Sequence, residues 1–311
     1  MVTASACGGS EPAGPEPDSQ SEEESFTVPA QGTAATFDLA TWNIEWFGST
    51  SNGPADEAGQ LNRVRDIIAS TDFDLCGVQE ISVGSHFASL VGQLEGYSSV
   101  LENDPSVVGG SEFYSGFGNT ELKVGLIFKT DLVEVLAAQI ILTDFDHEFA
   151  GRPPLEVRIR VTIGGVATDA TVIVLHAKAN TLVESSERRA GGATALKEYL
   201  DETWAGHAVW VIGDWNDDID ESITAGRDTP YRLFVEAAPD WEYVTVPLTV
   251  AGVTSILGFD DVIDHQLASN EAMAWYQAGS AQVFRVDNLV TAFENTTSDH
   301  LPVLTRYVLT N

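Results

Sequence analysis

Short apolar runs recur along the chain and predict β-strands. Their short length and their β-branched residues are typical of strands, and several are apolar enough to be buried on both faces. The predicted strands are FDLATWNI (37–44), FDLCGVQE (73–80), LKVGLIFK (122–129), LVEVLAAQIIL (132–142), LEVRIRVTI (155–163), ATVIVLH (170–176), AVWVIGDWN (208–216), DVIDHQLAS (261–269) and VLTRYVL (303–309).

Helical patterns lie between some of these strands, notably GQLNRVRDIIAST (59–71) and SSERRAGGATALKEYLDETW (185–204). Strands that mix direct neighbours with helix-spaced ones predict an α/β domain of stacked sheets flanked by helices. Two segments, 105–119 and 217–231, are rich in Gly and Asp and predict long loops. Long loops around a rigid sheet are where binding surfaces tend to form.

The first 33 residues differ from the rest in composition. They are rich in Gly, Pro, Ser and Glu, cannot build a core and are predicted to be a disordered tail, followed by one domain at 34–311. Small residues precede Cys7, which resembles the end of a bacterial lipoprotein signal peptide. That interpretation predicts a lipid anchor on Cys7 and an extracellular or cell-envelope location. The alternative is an ordinary disordered terminus with an incidental cysteine.

Charge limits the classes of ligand. The chain has 47 acidic and 15 basic residues and a formal charge of −32, too negative to bind nucleic acid by bulk attraction. A phosphate-bearing substrate would therefore need a local positive centre, for which a bound metal ion is suited. The two cysteines, Cys7 and Cys76, cannot form a disulfide framework or a cysteine zinc site, and Cys76 is predicted to be a buried apolar residue.

Polar side chains end five of the predicted strands and precede a sixth. A polar residue at one strand end is typical of a turn or cap, but polar residues at six strand termini together indicate a site. Carboxylate and amide oxygens suit Mg²⁺ or Mn²⁺, and the scattered histidines lack the pairing of a zinc motif. The residues are Asn43, Glu45, Glu80, His176, Asp214, Asn216, Asp264, Asp299 and His300.

The order of these motifs resembles the endonuclease/exonuclease/phosphatase superfamily, whose fold is deoxyribonuclease I-like. The resemblance spans residues 37–309 and lies in the ordered set N-x-E, Q-E, a strand histidine, G-D-x-N, a late aspartate and S-D-H. It implies a four-layered α/β sandwich, in which two mixed β-sheets pack face to face between outer helices and the active site lies at one edge.

The resemblance also implies roles at the metal edge and around the scissile phosphate. The metal, Mg²⁺ or Mn²⁺, would be held by Glu80 as the main ligand with Asn43, Glu45 and Asp299. Asp214 would orient or deprotonate the attacking water, while Asn216 would bind phosphoryl oxygens. The remaining catalytic and phosphate-binding candidates are His300 held by Asp264, His176 beside the leaving group, and Arg152.

The chemistry that these roles imply is in-line hydrolysis of a phosphodiester by water. LHAKA (175–179) favours the deoxyribonuclease-like and secreted bacterial branches, so DNA or RNA is the expected substrate and partner. Ser82 replaces a basic residue that is frequent after the Gln-Glu pair, which weakens the expectation of tight backbone binding. The alternatives are a phospholipid or sphingolipid phosphodiesterase, a phosphomonoesterase, and a catalytically inactive binding module. The number of metal ions, endo or exo cleavage and the oligomeric state are left open.

Residues next to the candidate catalytic positions are predicted to have other roles. Trp215 should point into packing because it alternates with Asp214 and Asn216, whereas Asp217 and Asp218 are predicted to be loop residues. Lys178, Arg188 and Arg189 match positions of secreted bacterial members or serve only to balance charge.

Overall fold

A computed structural model describes residues 26–110 and 121–310 of the 311-residue chain. The strands in this part are β1 Phe37–Phe47, β2 Leu75–Ile81, β3 Tyr97–Leu101, β4 Val107–Val108, β5 Lys123–Lys129, β6 Val133–Ile140, β7 Leu155–Ile163, β8 Val166–His176, β9 Val209–Asp214, β10 Trp241–Tyr243, β11 Asp264–Ser269, β12 Gln282–Val283 and β13 Val303–Tyr307. The helices are α1 Glu57–Thr71, α2 Gly84–Val91, α3 Val183–Thr203, α4 Arg232–Val235, α5 Val246–Val250, α6 Asn270–Met273 and α7 Phe293–Thr296, with 3₁₀ turns at Thr143–Phe145 and Val286–Asn288.

The strands form two mixed sheets. The order is β12-β13-β1-β2-β5-β3 in the first sheet and β10-β11-β9-β8-β7-β6-β4 in the second. The pairs β1–β2 and β8–β9 are parallel, while β13 runs antiparallel to β1 and β11 antiparallel to β9. Consequently β1, β2, β8 and β9 end, and β11 and β13 begin, at one edge of the molecule, which we call the shared edge.

The two sheets pack face to face. Their inner faces contribute Leu39 and Leu126 from the first sheet and Val172 and Ile212 from the second to one continuous core. Gly77 permits the close approach, because a Cβ there would lie 2.7 Å from Ile212 Cδ1. A second core packs α1 and α2 on the outside of the first sheet, and a third packs α3 on the second sheet. The predicted four-layered α/β sandwich is therefore confirmed.

The domain begins earlier than predicted. The boundary at residue 33 is wrong, because Val28 is buried in the core beneath the first sheet and Gln31 N donates to Thr71 O at 2.8 Å. The guanidinium of Arg306 donates to Gln31 O at 2.7 Å. Through these contacts Val28 and Gln31 pack against the domain.

The cysteine predictions have different outcomes. Cys76 is buried, as predicted, and burial raises its thiol pKa far above the ordinary range. Cys7 lies outside the described residues, so the lipid anchor and the envelope location stay predictions. Among the described helices, none combines the length and apolar character that crossing a bilayer requires.

Candidate active site

The shared edge brings the predicted polar strand ends together. Asp214 ends β9 and lies in register with His176 on one side and Asp264 on the other. Across the sandwich, Asn43 near the end of β1 donates through Nδ2 to Asp214 Oδ2 at 3.1 Å and to Glu80 Oε1 at 3.1 Å. The two sheets therefore share one site, with Asp214 at its centre.

Asp214 is buried and charged groups surround it. Burial raises the pKa of Asp214 to about 7, with nearby His300 lowering it and Asp264 raising it further. Its Oδ1 accepts a hydrogen bond from Asn216 N at 2.8 Å, which closes a tight turn. The amide of Asn216 donates to Ala177 O at 3.2 Å. A carboxyl group with a pKa near neutrality suits a general base.

A buried dyad lies beside Asp214. His300 Nδ1 is 2.9 Å from Asp264 Oδ2, and its Nε2 is 3.9 Å from Asp214 Oδ2. Burial disfavours the imidazolium, yet Asp264, Asp214 and Asp299 together hold the pKa of His300 well above its ordinary range. Ser255 Oγ donates to Asp264 Oδ2 at 2.7 Å and thereby fixes the carboxylate. The predicted support of His300 by Asp264 is present, and it keeps a positive charge in the site.

The pKa of His176 is shifted in the opposite direction from that of His300. Its Nε2 lies 3.4 Å from Asp214 Oδ2 and 3.8 Å from Glu80 Oε1. Burial, Arg152 and His300 lower the pKa of His176 well below its ordinary range, so the imidazole is neutral. A neutral ring at this position is a hydrogen-bond donor to an oxygen rather than a source of protons. Its predicted place beside the leaving group stays a prediction.

Arg152 lies next to this histidine. Its guanidinium donates to His176 O at 3.2 Å and to Ala177 O at 2.8 Å, so it orders the segment that follows β8. It is half-buried and close enough to lower the pKa of His176. The predicted contact between Arg152 and a substrate phosphate stays a prediction.

Four side chains with oxygen atoms that could bind a metal ion lie near Asp214: Asn43, Glu45, Glu80 and Asp299. Glu45 Oε2 accepts from Asp299 N at 3.1 Å, and Asn43 Oδ1 accepts from Glu45 N at 3.0 Å. Burial and the carboxylates of Asp299 and Glu80 raise the pKa of Glu45 to about 7. Among the described residues, no lysine or arginine pairs with Glu45, Glu80 or Asp299; the neutral His176 lies 3.8 Å from Glu80 Oε1, and the imidazolium of His300 lies 3.9 Å from Asp299 Oδ1.

Several of these residues hold the backbone in the left-handed region. The φ angles are 42° at Glu45, 46° at Trp46, 65° at Glu80 and 54° at Asn216. Such conformations cost about 1–3 kcal/mol each in a non-glycine residue and persist where surrounding contacts impose them. One such contact is the bond from Trp46 N to Glu80 Oε2 at 2.9 Å. This bond joins the ends of the adjacent strands β1 and β2.

Sequence reasoning missed three supporting residues. The buried Gln60 on α1 donates to Ile44 O, Glu45 O and Thr297 O at 2.8–3.0 Å. Ser298 Oγ donates to Asn43 O at 2.8 Å, and Ser255 holds Asp264 as described above. Two of these contacts, Gln60 with Thr297 and Ser298 with Asn43, join segments more than 200 positions apart. The only signal in the sequence is a serine one position before Asp299 in the S-D-H motif.

The loop after β9 is more tightly anchored than a surface loop. Asp217 and Asp218 are buried: Asp217 pairs with Arg189, and Asp218 accepts from Thr249 Oγ1 at 2.8 Å and Val262 N at 3.2 Å. Arg189 is thus a buried structural residue and not a surface charge balance. Trp215 packs among aromatic rings, as predicted, and its Nε1 donates to His265 O at 3.0 Å.

Two sets of groups at this edge have donors suited to a metal ion. Ligand atoms of Asp214, Asp264 and His300 lie within 4.8 Å of one another. In that set, however, His300 Nδ1 and Asp264 Oδ2 already bond to each other. The oxygen-only set of Asn43, Glu45, Glu80 and Asp299, with three carboxylates in close proximity, fits a hard divalent cation better.

Comparison with known proteins agrees with this geometry. The model of the Endonuclease/Exonuclease/phosphatase family matches residues 40–300. No curated protein sequence is significantly similar to the chain. The human Nocturnin catalytic domain with bound sulfate superposes with a TM-score of 0.62 at 15% identity, over 89% of this chain and 94% of that one.

Two further structures give the same result. A humanized D. rerio TDP2 has a TM-score of 0.59 at 12% identity over 88% of this chain and 99% of that one. An endonuclease/exonuclease/phosphatase from Bacteroides vulgatus has a TM-score of 0.59 at 16% identity, again over 88% and 99%. Identities this low show a common fold. Because the family model covers most of the chain and the site, the chain belongs to the endonuclease/exonuclease/phosphatase family, and it is a metal-dependent hydrolase of phosphate ester bonds.

Proposed function

We propose that the protein is a phosphodiesterase that uses Mg²⁺ or Mn²⁺ to hydrolyse nucleic acid, either DNA or RNA. The observation that supports it is the position of Asp214, a carboxyl with a pKa of about 7, between the imidazolium of His300 and the carboxylate edge. A structure of D. rerio TDP2 holds a single-strand DNA product and supports nucleic acid as the class of substrate.

The residues that would hold the metal ion are Glu80, Asn43, Glu45 and Asp299. The fit rests on the donor chemistry, because three carboxylates and one amide oxygen are ligands that a hard divalent cation prefers. Burial and the neighbouring carboxylates of Asp299 and Glu80 raise the pKa of Glu45, and a bound cation would offset that effect. When bound there, a divalent cation lowers the negative charge on the phosphate and stabilises the leaving oxygen. It also allows a chain with a charge of −32 to hold an anion.

The side chains around the phosphate have separate roles in an in-line displacement. Asp214 accepts the proton of the attacking water, and Asn216 donates its amide to the phosphoryl oxygens as they gain charge. His300, kept as an imidazolium by Asp264, contacts the same oxygens. His176 donates a hydrogen bond on the side of the leaving group. The attack gives one phosphate ester and one hydroxyl group, with no covalent enzyme intermediate.

Hydrolysis assays on the purified full chain test this function. Bis-p-nitrophenyl phosphate, plasmid DNA, RNA and sphingomyelin are each incubated with Mg²⁺, Mn²⁺ or a chelator. We expect metal-dependent cleavage of the small diester and of nucleic acid. Cleavage of sphingomyelin alone would refute the nucleic-acid proposal, and the absence of metal-dependent turnover of any substrate would refute the phosphodiesterase.

A further inference from the structure

A groove opens from the catalytic site beyond Asn216. It has a volume of about 180 Å³, and its apolar lining comes from Ile223, Ile256, Ile263 and Phe259. Phe259 is 58% exposed, which is unusual for an aromatic residue beside a polar site. A cavity of this size is small beside the 300–1,000 Å³ of sites for drug-sized ligands, and it suits a single planar ring.

The loop that carries Phe259 is attached directly to the catalytic residues. Ile256 forms a β-bridge with His300, and Leu257 N donates to Asp299 O at 2.7 Å. Thr254 Oγ1 donates to Phe259 O at 2.9 Å and closes the loop. The groove is therefore held in a defined position relative to the scissile phosphate rather than lying on an independent surface loop.

The charges around the groove favour a ligand whose neutral part lies inside the groove and whose anionic part lies beside it. The groove itself includes Asp261, which disfavours a second phosphate inside it. Lys178 lies two residues before Asn180, which lines the groove, and burial together with the nearby Arg188 lowers the pKa of Lys178. Lys178 Nζ donates to Ala179 O at 3.0 Å, and Arg188 Nε donates to His147 O at 2.8 Å. In the part of the chain that the structure describes, neither of these two cations forms an ion pair with a carboxylate. Carbonyl partners leave their positive charges available to a neighbouring phosphate.

We propose that the groove binds one unpaired base next to the scissile phosphate, stacked on Phe259, while Lys178 and Arg188 hold the adjoining phosphate. A base in a duplex is paired and stacked, so it can enter a groove of this kind only after leaving the helix. Single-strand binders combine aromatic stacking with positive charge along the backbone, whereas duplex binders depend on many phosphate contacts, which a net charge of −32 disfavours. The preferred substrate is therefore single-stranded nucleic acid. The inference rests on the proposed nuclease function.

Binding without turnover tests the groove directly. A fluorescent single strand, the same strand annealed to its complement, and a base-free strand of equal length are titrated in chelator and followed by anisotropy. We expect Phe259→Ala to weaken binding of the single strand by about five- to tenfold, the lower range for base–aromatic stacking. Phe259→Trp should restore it. Binding of the base-free strand should be the same for all three proteins.

The matched control is Phe145→Ala, which removes an exposed phenylalanine outside the groove. It should change neither binding nor turnover. In the presence of Mg²⁺ or Mn²⁺, Phe259→Ala should raise KM for the single strand by the same factor and leave kcat unchanged.

The outcomes distinguish a wrong assignment of the groove from a wrong assignment of the nuclease function. Metal-dependent hydrolysis of bis-p-nitrophenyl phosphate with equal affinity for the single strand and the duplex would overturn the groove assignment alone. The same holds if Phe259→Ala binds the single strand as tightly as the wild type. Loss of phospholipid cleavage in Phe259→Ala, with nucleic acid uncleaved, would assign the groove to an acyl chain instead. Absence of any hydrolysis would refute the proposed function itself.

Discussion

The buried Arg189 joins two loops that border the active site. Its Nε donates to Asp217 Oδ2 at 2.8 Å and its Nη2 donates to Thr224 Oγ1 at 3.2 Å, while Nη2 also forms an ion pair with Asp217 Oδ2 at 2.7 Å. The other terminal nitrogen donates to Lys178 O at 2.7 Å and Asn180 O at 2.9 Å. The guanidinium thus donates four hydrogen bonds in addition to its ion pair. Arg189→Met keeps the apolar stem and removes every one of these bonds.

The expected cost follows from the burial of both partners. Removing one member of a buried ion pair destabilises a protein by about 3–5 kcal/mol, because the other charge is left uncompensated. Asp217 still accepts from Ser222 Oγ at 2.9 Å and Ile223 N at 2.7 Å, which favours the lower end. At about 3 kcal/mol, and roughly 2–4 °C per kcal/mol in a domain of this size, Tm should fall by about 6–12 °C.

Urea unfolding followed by tryptophan fluorescence measures the change, since Trp215 is buried close to the pair. Arg188→Met is the matched control, because Arg188 is only half-buried, forms no ion pair among the described residues, and its described bonds go to a single carbonyl. It should stay within about 0.5 kcal/mol of the wild type. Adding Asp217→Asn to Arg189→Met removes the uncompensated charge and should recover about 1 kcal/mol or more.

Two results would refute this reasoning. The first is an Arg189→Met variant no less stable than Arg188→Met. The second is a double variant whose loss equals the sum of the two single losses, since that would mean the two side chains do not interact energetically.

Further predictions concern the catalytic groups and one glycine. Asp214→Asn should lower kcat on bis-p-nitrophenyl phosphate by about 10²- to 10⁴-fold with little change in Tm; a smaller loss contradicts its role as the base. Asp264 keeps the pKa of His300 high, so the imidazolium is present below that pKa and is lost as pH rises through it. In Asp264→Asn the falling limb of the kcat–pH profile should therefore move to lower pH, and an unmoved limb would argue against the dyad. Chelator should abolish turnover, and added Mg²⁺ or Mn²⁺ should restore it, unless the carboxylate edge binds no metal. Gly213→Ala places a Cβ 2.0 Å from Leu175 O and should destabilise the protein by about 3 kcal/mol, measured by circular dichroism; wild-type stability would contradict the close strand packing.

The sequence predicted the longer strands well because their apolar runs are distinctive. The run 155–163 coincides with β7, and 170–176 falls within β8. The short β3, which is half-buried along three of its five residues, and the eight-residue α2 have no comparable pattern and were missed. Burial on one face of a short element leaves too few apolar positions to define a period.

The site was predictable at strand ends and not beyond them. Parallel pairing brings His176 and Asp214 together at the end of one sheet, and Asn43 and Glu80 together at the end of the other. The contacts of Gln60 could not be expected, since one of its partners is Thr297, 237 positions away. The left-handed backbone at Glu45 also has no sequence signal, because its residue type does not favour that conformation.

The hydrogen bond from Asn43 to Asp214 crosses from one sheet to the other, so neither sheet contains a complete active site. A displacement of about 1 Å between reacting groups can cost a hundredfold in rate. Sliding of one sheet against the other would misalign the site while every strand stayed paired. The rate of hydrolysis thus depends on the alignment of the two sheets. Under mild denaturant it should decline before the circular dichroism of the strands changes.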